Sequence, residues 1–305
     1  MLRFTLRQLE YLTACVDTGS LVAAAVKLNV SQPSISTAIA KLEDQLGVQL
    51  LIRHHAQGVV PTANARPLIQ NAKELLAHAN DFQNSIKMAE GEISGELSLG
   101  SFISLSPTHM PGLLMAMRQK YPLLQLQVME GTQDQLVAGL RNGEYEAVIV
   151  YDLDLPDDVF KTVLLEVESR ILLQKGHPLA EQTSVSLEDV VDEPLILLDI
   201  LPSRNYFTGL FDVIGKKPKI GYRSSSIEFV RSMVGRGFGY SMLGTRPPGD
   251  KTYDGQDLVV CPIRENVPHA KMVLCRLQSQ RPSAAVLELE TFAASYFRKN
   301  LSMGE

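Results

Sequence analysis

Between Gln32 and Lys41 the polar side chains are short, amide-bearing or cationic: Gln32, Ser34, Ser36, Thr37 and Lys41, with Pro33 among them. A carboxamide offers adenine a paired donor and acceptor, a serine hydroxyl can approach either base, and a lysine meets phosphate. Arg53 and His54 follow soon after and suit the same backbone. The chemistry these groups fit is recognition of double-stranded DNA, provided that one scaffold presents them together. Ser20 to Gly47 supplies it. Two apolar patterns of helical period are separated by Asn29-Val30-Ser31, with Ser20 and Ser31 placed to cap the two helices. Pro33 falls in a first turn, where no N–H donor is needed, and Gly47 ends the second helix. The first helix is expected to bury Ala23, Ala24 and Leu28, the second Ile35, Ile39, Leu42 and Leu46. A helix from Leu6 to Asp17 precedes the pair, and an extended segment with Arg53, His54 and His55 follows it. Three helices and a wing favour a DNA-binding unit over an ordinary helix pair with a solvated polar face.

A second constellation lies at the ends of predicted strands. Glu96–Gly100, Leu124–Glu130 and Ala147–Tyr151 read as strands, separated by helices over Ser106–Lys120 and Thr132–Arg141. A similar unit follows, with strands at Leu195–Leu198, Lys219–Arg223 and Gly239–Leu243 and helices at Ser203–Ile214 and Ile227–Val234. Segments at Thr162–Gln174 and Lys271–Leu277 are placed to cross between two lobes, and Ala284–Lys299 closes the chain. In parallel sheets, ligands bind beyond the carboxyl ends of strands, where helix N-termini offer amides and a positive dipole. Those ends carry Ser101, Phe102, Ser104 and Ser106, then Gly131 and Thr132, then Asp199, Pro202, Ser203 and Arg204, then Ser224, Ser225 and Ser226, with Arg223 adjoining. Each hydroxyl taken alone is an N-cap; together they point to a cleft for a small molecule. Ser101, Phe102, Thr132, Pro202, Ser203, Arg204, Ser224 and Ser225 are the expected contacts. Helix N-termini and Arg204 favour an organic anion, its acid group on the Ser203-Arg204 amides and hydroxyl and its remainder facing Phe102 and Thr132. In the competing reading, Arg204 pairs with an acidic neighbour such as Asp199 or Asp212.

Catalysis has no comparable signature. No Gly-x-Ser-x-Gly elbow, His-Glu-x-x-His pair or Gly-x-x-x-x-Gly-Lys loop occurs, and Gly235–Gly239 lacks dinucleotide-binding spacing. Cys15, Cys261 and Cys275 are far apart and each lies in an apolar pattern. They read as reduced core residues, with redox sensing by a pair as the alternative; neither a metal nor a cofactor is expected. No signal peptide and no apolar run of bilayer length is recognised, which places the chain in the cytoplasm with no membrane partner. The net charge of -5 hides a DNA-binding segment of +1 over residues 1–62. So weak a cation needs several copies acting on one duplex. A helix from Thr62 to about Glu90 supplies the means, because Leu68, Ala72, Leu75, Ala79, Phe82, Ile86 and Ala89 recur as a heptad seam. Gly91–Gly95 then reads as a hinge.

The N-terminal residues resemble the DNA-binding domain of LysR-type transcriptional regulators. The resemblance is carried by Leu6-Arg7-Gln8-Leu9, Gly19-Ser20, Ala23-Ala24-Ala25, Leu28, Ser31-Gln32-Pro33-Ser34, Ser36, Ile39, Leu42-Glu43, Leu46-Gly47, Leu50 and Arg53. It departs from the family at Thr37-Ala38, Leu51 and Ala63-Asn64-Ala65. Gly176-His177-Pro178-Leu179 and Gly237-Phe238-Gly239-Tyr240 extend it to the family's effector domain. It implies a multidomain protein: an all-α winged helix-turn-helix domain over 1–62, a linker and dimerisation helix over 63–91, and an α/β bilobed effector domain over 92–305 similar to periplasmic binding proteins. Lobe I would span about 92–161 and 268–305, lobe II about 162–267. The resemblance further implies a homodimer or homotetramer on operator DNA, a small-molecule effector, and RNA polymerase as a further partner. A solute-binding protein and a small-molecule enzyme on the same bilobed scaffold are the alternatives.

Overall fold

The computed structural model describes residues 4–54, 58–83, 93–244 and 249–301. Three helices open the chain: α1 (Leu6–Thr18), α2 (Leu21–Lys27) and α3 (Gln32–Leu46). Their ends follow from capping chemistry. Thr5, Ser20 and Ser31 accept bonds from Gln8, Ala23 and Ser34 amides, and Gly19 and Gly47 take left-handed conformations that close α1 and α3. Ile35, Ile39 and Leu42 are wholly buried against Leu9, Leu12 and Cys15 of α1. The periodic reading overshoots at two places. Leu46 is 39% exposed, because α3 has run past the core by then, and α2 buries Ala24 and Ala25 while Ala23 faces solvent.

The wing is a hairpin of β1 (Leu51–His54) and β2 (Gly58–Pro61), in which Arg53 pairs with Val59. It is pinned from both sides. Val59 N donates to Gly19 O at 2.8 Å, and Gly58 lies so close to that carbonyl that a side chain there would overlap it. On the other side Glu43 Oε1 accepts from Leu50 N (2.7 Å) and Leu51 N (3.1 Å). Thr62 then caps α4 (Ala65–Gln83), its hydroxyl accepting from Ala65 N at 3.2 Å. Ala65, Ile69 and Ala72 of α4 complete the core of this first unit.

Residues 93–301 form two α/β lobes. In the first, the sheet order is β4 (Leu124–Gly131), β3 (Gly95–Phe102), β5 (Ala147–Tyr151), β12 (Ala270–Leu277), β6 (Val159–Val167). The first three strands are parallel, as right-handed crossovers through α5 (Ser106–Lys120) and α6 (Gln133–Arg141) require, whereas β12 runs antiparallel to both its neighbours. The lobe's edge strand continues to Val167, beyond the 161 expected from sequence, because β6 pairs with β12 along its full length.

In the second lobe β8 (Leu195–Leu198) lies parallel to β9 (Ile220–Ser224), and β7 (Arg170–Gln174) sits between β10 (Ser241–Leu243) and β11 (Leu258–Pro262). A parallel bridge from Leu195 to Tyr240 joins the two groups. Strand β11 and the short helix α7 (Leu187–Val190) are not foreseen by the sequence reading. The helix expected over Ser203–Ile214 divides into α8 (Ser203–Gly209) and a tighter 3₁₀ turn, Leu210–Ile214. Helices α9 (Ile227–Gly235) and α10 (Ala284–Leu301) complete the elements. Where the chain passes between lobes, Tyr206 Oη donates to Pro268 O (2.6 Å) and accepts from Ser169 Oγ (3.0 Å). Among the described residues no single helix is long and apolar enough to cross a membrane.

Candidate functional site

The N-terminal turns of α3 stand free of the protein. Gln32, Pro33, Ser34, Thr37 and Lys41 are exposed and Ser36 is half-buried. Their hydroxyls are nonetheless organised. Ser34 Oγ lies 2.7 Å from the capping Ser31 Oγ, and Arg53 reaches from the wing to donate through Nη1 to Ser36 Oγ at 3.1 Å. That bond ties the guanidinium to the helix, so a base-reading face and a cation share one surface. His54 pairs through its backbone with Gly58; its side chain lies outside the described residues. The sequence reading missed the groove of about 640 Å³ between α1 and α3, lined by Arg7, Tyr11, Thr37 and Lys41 among others. Arg7 Nε donates to Tyr11 Oη at 2.9 Å. Their four-residue spacing, which puts both on one helix face, was the available signal.

The predicted seam on α4 is split by the structure. Leu68, Leu75 and Phe82 are 39%, 41% and 81% exposed and Ala79 is half-buried, so these four define an outward face. Ala72 does not belong to it. It is 5% exposed and packs inward with Ala65 and Ile69 on the stripe that completes the unit's own core. Ile86 and Ala89 lie outside the described residues.

The strand ends meet where parallel pairing places them. Phe102 is in register with Gly131 and Ile103 N donates to Gly131 O (3.0 Å), which sets Thr132 beside the end of β3. In the second lobe Leu198 is in register with Ser224 and Asp199 N donates to Ser224 O (2.8 Å). Thr132 and Ser224 are half-buried and Ser225 is exposed. Ser226 caps α9, accepting from Phe229 N at 3.3 Å.

Several expected contacts are otherwise occupied. Phe102 is wholly buried and packs edge-on against Tyr151, while the wholly buried Ser101 accepts a bond from Ser106 Oγ at 2.7 Å. Pro202 and Ser203 are buried, and Pro202, not Ser203, occupies the N-cap of α8. The Arg204 amide donates to Ile200 O at 2.9 Å, so that N–H is not available to an acid group. The Arg204 guanidinium pairs with Asp199 Oδ1 at 3.0 Å, and Arg223 approaches the other oxygen at 3.5 Å. The two arginines line a groove of about 570 Å³ whose walls all come from the second lobe, which favours the ion-pair reading of Arg204 over a contact across the lobes.

The three thiols are free and buried. Burial pushes Cys15 up to about 11 against the lowering pull of Arg53, and Cys275 up to about 12; Cys261 is raised for the same reason.

Comparisons with known proteins agree along the whole chain. Residues 6–66 match the family described as bacterial regulatory helix-turn-helix protein, lysR family, and residues 90–298 match the LysR substrate binding domain. The DNA-binding transcriptional dual regulator OxyR of Escherichia coli K12 is 28% identical over 258 residues, covering 84% of each chain. The HTH-type transcriptional regulator BbuR of Bordetella bronchiseptica is 31% identical over 235 residues, covering 74% of this chain and 70% of its own. Among solved structures, HinK, a LysR family transcriptional regulator from Pseudomonas aeruginosa, superposes with a TM-score of 0.66 at 36% identity, covering 96% of this chain and 99% of the other.

Proposed function

The chain belongs to the LysR family of transcriptional regulators, DNA-binding proteins that answer small-molecule effectors, and from that premise we propose how it divides the labour. Residues 1–62 bind operator DNA, 63–91 pair subunits, and 92–305 take the effector. The observation that carries the DNA reading is the exposed N-terminal face of α3 with Arg53 fastened to Ser36. Gln32, Ser34 and Ser36 read base edges, while Pro33, Thr37, Lys41, Arg53 and His54 fit and neutralise the backbone, helped by Arg7 in the α1–α3 groove. The outward face of Leu68, Leu75, Ala79 and Phe82 pairs two linker helices in a homodimer or homotetramer, with Ile86 next in the same heptad spacing of the sequence. Two recognition helices then address one duplex, so the operator is roughly palindromic.

The effector is an organic anion held at the strand ends. Support comes from Thr132, Ser224 and Ser225, which keep accessible surface there, and from the N-termini of α6 and α9, whose dipoles favour negative charge. Arg204 acts through Asp199 and does not touch the ligand. RNA polymerase is the downstream partner, the compartment is the cytoplasm, and the cleft binds without turning its ligand over. Solute binding alone does not account for the helix-turn-helix unit on the same chain. Calorimetry of the full chain against a panel of carboxylates and uncharged analogues decides the anion reading. Binding of a carboxylate that is weakened in Thr132→Ala and retained in Arg204→Ala is expected; tighter binding of the uncharged analogues overturns it.

A further inference from the structure

Helix α6 spans the distance between the strand ends and the DNA-binding unit. Its first turn adjoins Thr132, and its nine residues make a rod of about 14 Å. Gln133, at the near end, is 5% exposed and donates through Nε2 to Leu153 O at 2.5 Å, while its Oε1 is buried without a partner. At the far end Gly143 turns the chain with φ +69°, and its carbonyl accepts from Lys73 Nζ at 2.8 Å. The same ammonium donates to Asp17 Oδ1 at 2.8 Å, in the last turn of α1. Three parts thus meet on one cation: the DNA-binding unit through Asp17, the linker helix through Lys73, and lobe I through Gly143.

The contact is shaped for docking and for release. Gln70, one turn ahead of Lys73 on α4, lies over Gly143 so closely that a side chain there would overlap its carboxamide oxygen. Gly143 therefore needs to be glycine both for its left-handed backbone and for the approach of α4. Around it the surfaces part into cavities of about 660 and 440 Å³, which leave the units room to shift. Lys73 and Asp17 keep 26% and 39% of their side-chain surface exposed, so water competes for the pair and its breaking is cheap.

We propose that Lys73 is an interdomain latch, and that α6 carries the state of the strand ends to it, so that occupancy of the cleft sets how the linker helix and DNA-binding unit sit on lobe I. The latch itself stands on its own geometry; the coupling through α6 rests on the reading of the strand ends as the effector site.

Hydrogen exchange on the full chain tests both parts without an effector. In Lys73→Met, which keeps the aliphatic stem, amides of 14–19 and 141–145 exchange faster together by more than about twofold, while those of 147–151 keep wild-type rates. Gly143→Asn, which tolerates the left-handed backbone but collides with Gln70, loosens the same two segments. Exchange within about twofold of wild type at either segment in Lys73→Met overturns the latch. Binding of a duplex carrying the operator, recovered by genomic footprinting, alters exchange at 132–136 in the wild type, since coupling is reciprocal. In Lys73→Met that response disappears although the duplex is still bound. No response in the wild type, or an undiminished one in the variant, overturns the coupling. Failure of the effector reading shows separately, in the carboxylate calorimetry.

Discussion

Glu43 offers the sharpest test of how the wing is held. One carboxylate oxygen takes both the Leu50 and the Leu51 amide, and these residues are 0% and 2% exposed, so water does not reach their donors. Glu43→Ala leaves two buried N–H groups unpaired at about 1–3 kcal/mol each; with one recovered by a water entering the space, the loss is about 2 kcal/mol. For a unit of this size that lowers the melting transition by roughly 8–16 °C. Glu43→Gln keeps a carbonyl acceptor but not its charge, and should cost about 1 kcal/mol. Scanning calorimetry of the full chain, following the transition of the DNA-binding unit, gives the comparison, and a gel shift below that transition reports the wing. Because β1 starts at Leu51, Arg53 loses its register against Ser36 in the alanine variant, and DNA affinity falls with stability. If Glu43→Ala melts within about 2 °C of wild type, or if the alanine and glutamine variants fall equally, the carboxylate is not what anchors the wing.

On DNA, Gln32→Ala should cost about 1–3 kcal/mol at one operator position, whereas Arg53→Ala should weaken all sequences alike and flatten the salt dependence by about one unit of slope; unchanged specificity in a gel-shift series with Gln32→Ala would remove it from base reading. On the linker helix, the exposed 81% of Phe82 is roughly 160 Å² of ring, worth about 4 kcal/mol per subunit when covered. Leu75→Glu with Phe82→Glu should therefore dissociate the paired helices, and sedimentation unchanged from wild type at micromolar concentration would refute the seam. The thiols, raised by burial, stay protonated near neutral pH. Peroxide should leave operator binding unchanged and iodoacetamide should modify the folded chain slowly, in contrast to what the hydrogen peroxide-inducible relatives' name describes; rapid labelling of Cys15 would contradict this.

What could be read from sequence follows the range of the interactions involved. Ser20, Ser31 and Gly47 bond within their own turns, so local spacing located α2 and α3 to within a residue. Periodicity says which residues share a face but not where the neighbouring core ends, hence Leu46 and Ala23. On α4 it found apolar positions without separating two stripes, and Ala72 fell on the wrong one, since only the tertiary fold distinguishes a face turned to α1 from one turned outward. The strand ends were located to within two residues, because parallel pairing is implied by alternating strands and helices. Their side chains were not. Ser101 and Phe102 are the last residues of β3, which still pack inward, and Arg204 pairs with Asp199 as in the competing reading, since spacing alone does not decide between an ion pair and a ligand contact. The bridge from Lys73 to Gly143 joins residues seventy positions apart and left no trace in the pattern.

The two stripes of α4 bear on operator length. Ala65, Ile69 and Ala72 weld the helix to its own recognition unit, while Leu68, Leu75 and Phe82 turn outward, the face proposed above to pair subunits. Sliding one linker helix along the other is therefore the same act as moving one recognition helix along the duplex. An apolar seam repeating every seven residues permits only whole-heptad steps, about 10.5 Å each. At about 3.4 Å of duplex per base pair, one step is about three base pairs. Operators read by such a pair would come in discrete lengths, and a single inserted base between half-sites would find no matching register.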